Sequence, residues 1–349
     1  MSEKSAPTIG SLGEFGLIDH LTKNFQKKQP STLIGVGDDA AVIGFDSEVQ
    51  VVTTDLLVEG VHFDLVYTPL KHLGYKAVVV NLSDVYAMNA APRQITVSVA
   101  MSGKMALEGA EQLYEGIRLA CERYNVDLVG GDTSASVTGL LISVTAMGTA
   151  PSGEIVLRSG ARANDLICVT GDLGAAYMGL KLMDREKRVF MEDPGVQPDF
   201  SGFDYPLARF LKPEARVEVL LALREKGIRP TSMIDISDGL SSELLHICKR
   251  SSCGCTVYQE RIPIHPDTIR AAEGFGIEPM IAALHGGEDY ELLFTVPLED
   301  FEKVMSIPGV SVIGNITPHD EGAVMVTASG QAIRLVAQGW NAYGDEEEE

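Results

Sequence analysis

The chain is 349 residues long, with 28 Lys and Arg against 49 Asp and Glu, giving a formal net charge of −21. Hydrophobic residues are 45% and charged residues 22%, enough apolar material to bury real cores, and at about 150 residues per domain the length suggests two. The acidic balance excludes unaided nucleic-acid binding, which needs a basic stripe against phosphates. No apolar run approaches the ~18 residues of a membrane span, and MSEKSAPTIG has no apolar centre of a secretory leader, so neither membrane nor export is expected. Five cysteines, few and odd in number, favour a reducing cytoplasmic setting over a disulfide framework. Cys253 and Cys255 form a C-x-C with no second Cys/His pair at zinc spacing, so they read as buried thiols.

In chain order, residues 49–54 read as a β-branched strand ending at Asp55. Residues 70–90 read as a helix with Leu70, Leu73, Ala77 and Val80 on one stripe, stopped by Pro92. A strand follows over 95–101, then an amphipathic helix over 106–124 with Leu107, Ala110, Tyr114, Ile117, Cys121 and Tyr124 at helical spacing. Residues 127–132 form a short strand running into glycines, and 140–148 another. Pro151, Ser152 and Gly153 mark a boundary, with a linker to about residue 163. Residues 1–150 and 151–349 are therefore the expected domains.

The second half alternates again: strands at 165–171, 233–236, 291–296 and 310–316, and helices at 173–183, 214–225 and 238–251. Residues 186–206, rich in Pro, Gly and Asp, read as a surface insertion, and 345–349 as a solvated acidic tail. The pattern is an α/β or α+β sandwich without a fixed-period repeat.

Acids recur beside Gly, Ser or Thr at strand ends: Gly37-Asp38-Asp39, Thr53-Thr54-Asp55, Ser83-Asp84, Gly130-Gly131-Asp132, Asp235-Ile236-Ser237-Asp238-Gly239, and Glu288-Asp289 after Gly286-Gly287. Any one of these suits a turn or helix cap. Six in one chain point to a shared site. Two carboxylates 4 Å apart repel by about 4 kcal/mol at an effective dielectric near 20, so such a site calls for a divalent cation. Asp and Thr oxygens, with no His-Cys cage, suit Mg2+ bridging to substrate phosphates rather than zinc. Metal-bridged phosphoryl transfer is then the expected chemistry. There is no G-x-x-x-x-G-K-[ST] and no kinase Asp-Phe-Gly set. Gly35-Val36-Gly37-Asp38-Asp39-Ala40 fits a loose dinucleotide turn, but two carboxylates occupy the place where bare amides would meet pyrophosphate.

GVGDDAAV (35–42), TTDLLVEGVHF (53–63), NLSDVYAMNA (81–90), GGDTS (130–134), RSGARANDLICVTG (158–171), DISDGL (235–240) and GGEDYEL (286–292) together resemble the thiamine-monophosphate kinase family, in family order along nearly the whole chain. The resemblance implies the fold of the aminoimidazole-ribonucleotide synthetase superfamily. That is an N-terminal domain forming a β-barrel shared in a homodimer, and a C-terminal α/β sandwich. It implies ATP-dependent conversion of thiamine phosphate to thiamine diphosphate with several Mg2+ ions. Asp39, Thr53, Thr54, Asp55, Asp84, Asp132, Asp235 and Asp238 match the family's Mg2+ ligands. Tyr124, Gly131, Asp132, Arg158 and Ser237 match ATP-contacting positions, and His62, Glu288 and Trp340 substrate contacts. Each has a plainer alternative: His62 a strand histidine, Arg158 a surface cation, Glu288 a brace for its glycine turn, Trp340 an anchor for the C-terminus. Asp38, taken as extended, faces away from Asp39 and is left out of the site.

Two departures from the family pattern stand out, Asn89-Ala90 where Gly is common and the long 186–206 segment. Rival readings are another ATP-using member of the superfamily, such as selenophosphate synthetase, and a non-catalytic acidic metal-binding protein. The absence of Cys from residues 1–34 counts against the first.

Overall fold

The computed structural model describes residues 30–34, 37–45, 48–193 and 195–338. Trp340 and the acidic tail lie outside them.

The first half builds a six-stranded sheet from β1 (Thr32–Ile34), β2 (Ala41–Phe45), β3 (Glu48–Val58), β4 (Ala91–Met101), β5 (Asp127–Ala135) and β6 (Leu141–Pro151), in the order β1-β2-β3-β6-β4-β5. β4 and β5 pair in parallel and their neighbours antiparallel. Among the described residues this sheet is open, with β1 and β5 at its ends. β6 buries every second residue, the period-2 signature of a sheet with one covered face.

Two helices cover that face, α1 (Leu70–Ala87) and α2 (Leu107–Tyr124). α2 is one-sided, burying Leu113, Gly116, Ile117, Ala120 and Tyr124. α1 is buried all round from Leu73 to Ser83, which marks a central helix rather than a surface one. The two cross at glycines. A Cβ on Gly74 would lie 2.0 Å from the Leu113 carbonyl oxygen, and one on Gly116 2.0 Å from that of Lys71.

α1 ends at Ala87, not at Pro92. Asn89 adopts φ 55° and turns the chain, as a short amide side chain tolerates. Pro92 sits inside β4, beside a register shift between Pro92 and Gln94, where a missing N–H is accommodated.

The second half builds a seven-stranded sheet from β7 (Leu166–Thr170), β8 (Ser232–Ile236), β9 (Gly254–Tyr258), β10 (Glu291–Val296), β11 (Val310–Thr317), β12 (Ala323–Val326) and β13 (Ala332–Arg334), in the order β13-β12-β9-β11-β7-β10-β8. β7, β8 and β10 are buried at every position. Their side chains alternate between two cores. Cys168, Met233, Leu292 and Phe294 join the core shared with α1 and the first sheet, while Ile167, Val169, Ile234 and Leu293 face a core on the other side. This second sheet is thus the middle layer of a sandwich.

The outer helices include α3 (Ala175–Glu192), α4 (Asp204–Leu211), α5 (Val217–Glu225), α6 (Leu240–Ser251), α7 (Pro266–Gly274), α8 (Pro279–His285) and α9 (Phe301–Met305). The segment expected as an insertion is partly helical: α3 runs on to Glu192 and α4 begins at Asp204. Glu186 accepts the Asp199 N–H at 2.9 Å, and Lys187 pairs with Asp64, so the segment is tied to both halves of the chain. α4, α7–α9, β9, β12 and β13 are short elements whose periodicity is too brief to read.

Because the Gly74 contact is with backbone, Gly74→Ala forces α1 and α2 apart. It is expected to lower unfolding free energy by about 2–4 kcal/mol, measured by denaturant titration. Unchanged stability would remove the close crossing as a constraint.

Candidate active site

The cleft between the two halves has a volume of about 940 Å³. Its lining includes Asp39, Thr53, Thr54, Asp55, His62, Asp84, Arg158, Asp235, Ser237, Asp238 and Glu288. One helical turn near the end of α1 organises them. The Asn81 side-chain oxygen accepts the Asp55 N–H at 3.0 Å, the Ser83 hydroxyl donates to Asp235 at 2.6 Å, and Asp84 accepts from the Thr53 hydroxyl at 2.6 Å. Asn81 is 0% and Ser83 1% exposed, so these polar groups are committed to the neighbouring strands. β3 and β8 are thereby pinned on opposite sides of α1. Thr54, on the other face of β3, gives its hydroxyl to the Val144 carbonyl at 3.0 Å.

Carboxylate oxygens of Asp39, Asp84 and Asp235 lie within 4.8 Å of one another. Asp39 and Asp235 are buried, and Asp84 opens partly to the cleft. Burial, and after it the charges of Asp55, Asp235 and Asp39, push the Asp84 carboxyl well above the usual carboxylate range. Burial and Asp39 push Asp235 up to about 8, against the Ser83 hydrogen bond. A set of hard oxygen donors under mutual repulsion is the chemistry that suits Mg2+.

Arg158 is the local counter-charge. It forks onto Asp39 through Nε at 2.8 Å and a terminal nitrogen at 3.0 Å, the bidentate geometry of a guanidinium on a carboxylate. Asp38 also lines the cleft, because residues 37–40 bend rather than extend. Its oxygen accepts the N–H of Asp39 and of Arg158, each at 3.2 Å. Burial and the adjacent Asp39 raise its pKa to about 6.

On the same side, His246, Lys249 and Arg250 of α6 line the cleft. Burial, then Arg158 and Lys249, lower the His246 pKa to about 4, so its ring is neutral.

A second part of the lining is built differently. His62 follows β3, and its Nδ1 accepts the Val58 N–H at 3.1 Å. Burial lowers its pKa against the pull of Glu288. Glu288 sits at φ 68° in the loop after Gly287, and its carboxylate pairs with Lys76 of α1, itself 4% exposed. Lys76 also donates to the Phe210 carbonyl at 3.2 Å and lies 4.5 Å above the Phe210 ring. Tyr67, Tyr177 and Phe210 supply aromatic surface here.

Tyr124, Gly131 and Asp132 lie outside this cleft. Tyr124 is 7% exposed on the inner face of α2, donating its hydroxyl to Glu214 at 2.6 Å and accepting the Ala215 N–H at 2.9 Å. Gly131 and Asp132 are on the exposed end strand β5, beside Val97, Tyr114 and Leu128. Lys76 and the α6 cations were not visible from sequence: a lysine in an apolar helix reads as a tail reaching solvent, and Lys249 and Arg250 read as ordinary charges of a last helical turn.

A family model for AIR synthase related protein, N-terminal domain, matches residues 37–150. Thiamine-monophosphate kinase of Bacillus subtilis is 32% identical over 341 residues, covering 95% of this chain and all of that protein. The Aquifex aeolicus protein of that name is 35% identical, covering 83% and 88%. A solved structure described as AaThiL complexed with AMPPCP and TMP superposes with TM-score 0.81 at 32% identity, covering 97% of this chain and 99% of that one. Fold and cleft thus define an AIR-synthase-related enzyme with two sheets. Within that class, the chain belongs to the thiamine-monophosphate kinase family.

The raised acids bind protons more tightly folded than unfolded. Their stabilising contribution is therefore full below the unfolded carboxylate pKa of about 4 and is lost as pH rises through the folded values, about 6 for Asp38 and about 8 for Asp235. In EDTA, Asp84→Asn, which relieves the repulsion, is expected to be more stable than the parent by on the order of 2 kcal/mol near pH 8, with the difference shrinking toward pH 5. Calorimetry of both proteins across that range checks it; a pH-independent difference counts against the cluster as the source.

Proposed function

We propose that the chain transfers the γ-phosphoryl group of ATP to the phosphate of thiamine phosphate, giving thiamine diphosphate and ADP, by direct in-line displacement. The observation that carries the reading is the cleft, whose lining brings together a carboxylate cluster, the Arg158 and α6 cations, and the His62–Glu288–Lys76 group with aromatic side chains. Membership of the family supports it.

The attacking atom is an oxygen of the acceptor phosphate. With a second pKa of about 6 it is already ionised near neutral pH, so no side chain has to remove a proton. The γ-phosphorus–oxygen bond to the β-phosphate breaks as the new bond forms, and ADP leaves with the bridging oxygen. Asp39, Asp55, Asp84, Asp235 and Asp238, with the Thr53 and Thr54 positions, would hold Mg2+, which supplies charge neutralisation between the two anionic substrates. Arg158 and Ser237 contact ATP. His62 and Glu288 hold the acceptor, the Glu288 carboxylate meeting its cationic or amine-bearing part. The protein's contribution is then positioning and fixed charge.

The assignment of Gly131 and Asp132 to nucleotide and metal rests on a homodimer formed along β5, since within one chain they lie outside the cleft. All nine residues of β5 are exposed, including Leu128 and Val129, and among the described residues no strand pairs with its outer edge. Such an edge invites pairing with a second copy, and a barrel shared between two N-terminal sheets follows from it. We keep residues 1–150 as the nucleotide-binding and dimerisation domain and 151–349 as the second domain, although one hydrophobic core runs across the boundary. The five cysteines are unbridged, in keeping with a cytoplasmic enzyme, and among the described residues no helix is long and apolar enough to cross a membrane.

Incubation with ATP, Mg2+ and thiamine phosphate is expected to yield thiamine diphosphate and ADP by mass spectrometry. Asp84→Asn should reduce the rate at least about 100-fold. Full activity of that variant at ordinary Mg2+ would overturn the role given to the cluster. Val129→Lys, which puts a charge on the β5 edge, is expected to shift the protein from dimer to monomer in light scattering, and an unchanged mass would place the interface elsewhere.

A further inference from the structure

Glu243, in the first turn of α6, is 2% exposed and lines no part of the cleft. Its Oε1 accepts the N–H of Asp238 at 2.9 Å and of Ser237 at 3.2 Å. It therefore reaches back past the start of its own helix to the turn between β8 and α6. The residue at the helix start is Gly239, with φ 111° and no side chain to cap the helix. The other side of the turn is held by the Gly286–Tyr290 loop. The Ser237 carbonyl accepts the Glu288 N–H at 2.7 Å, and the Ile236 carbonyl accepts the Tyr290 N–H at 2.8 Å. The approach is close enough that a Cβ on Gly287 would lie 2.4 Å from the Ser237 carbonyl oxygen. Ser237 is thus clamped on both sides, its N–H by Glu243 and its C=O by the segment that presents Glu288.

We propose that Glu243 is a positioning residue. It sets the turn that carries Ser237 and Asp238, directly after the strand of Asp235, and through the Ser237 carbonyl it sets the loop of Glu288, while touching neither substrate. The consequence for the acceptor rests on the function proposed above; the consequence for the metal-binding acids does not. Without the acceptor oxygen at Glu243, two backbone N–H groups lose their partner and the turn is free to rotate. Asp238 and Glu288 then move together, because one peptide links them. Outer groups that orient ligands in this way are worth about 10–100-fold in metal affinity.

The test compares Glu243→Gln, which keeps an oxygen where Oε1 stands, with Glu243→Leu, which fills the volume without an acceptor, and Glu243→Asp, which keeps the carboxyl group but withdraws the oxygen by one methylene. Calorimetric titration with Mg2+ alone reads the metal-binding acids, and steady-state kinetics reads the acceptor. Glu243→Gln is expected to bind Mg2+ within about threefold of the parent. Glu243→Leu and Glu243→Asp are expected to bind about tenfold more weakly and to raise the KM for thiamine phosphate. A purely structural role would lower the melting temperature of Leu and Asp variants and leave Mg2+ affinity unchanged, which overturns the proposal, as does a Gln variant as impaired as the Leu variant. Should Glu243→Leu fail to fold, the Gln–Asp pair decides by the same criteria. A parent protein that binds Mg2+ but makes no thiamine diphosphate overturns the proposed function and leaves the Mg2+ comparison to judge Glu243.

Discussion

The structure depends on keeping like charges together. Asp39, Asp84 and Asp235 bring carboxylate oxygens within 4.8 Å of one another in a poorly solvated cleft, an arrangement that water would relieve and that folding has to impose. The restraint comes from α1. Its Asn81, Ser83 and Asp84 bond to β3 on one side and β8 on the other, and the helix is buried from Leu73 to Ser83. Hydrophobic burial around α1 supplies the free energy that offsets the repulsion, and Arg158 on Asp39 supplies local counter-charge. Stability given up at a site in this way is a common mark of function.

The same layering gives the cleft two kinds of lining. β3 carries Thr53, Asp55 and, just beyond it, His62 along one wall. The turn after β8 and the loop before β10 form the other, joined through Ser237. Cations gather where α6 and Arg158 meet Asp39, and the Lys76–Glu288 pair gathers with the Phe210 ring. A charged polyphosphate and a cationic heteroaromatic acceptor have opposite needs, and the two sets of residues meet them separately.

The tie between the halves extends to the long segment after α3. Expected as a surface insertion, it continues the helix to Glu192 and is pinned through Glu186 and Lys187, the latter to Asp64, two residues after His62. Lys187 of this segment lines the cleft, on one face of α3 with Tyr177, Leu180 and Asp184 at helical spacing.

Much was legible in the sequence because it is local. Strand and helix positions follow from period-2 and period-3.6 patterns, and the acids at strand ends follow from Asp beside Gly, Ser or Thr. The motif order was enough to indicate the family before any coordinates. What the sequence by itself could not decide is which side chains meet. Asp38 faces the cleft because its turn bends, Lys76 is a buried partner for Glu288 212 residues away, Glu243 reaches back to hold a turn, and Tyr124 belongs to the core. Gly131 and Asp132, which the motifs group with the site, lie on an exposed edge of the single chain. Periodicity tells which face of an element is buried; which distant element covers that face is settled only when the sheets pack, and the chemistry of this cleft depends on that packing.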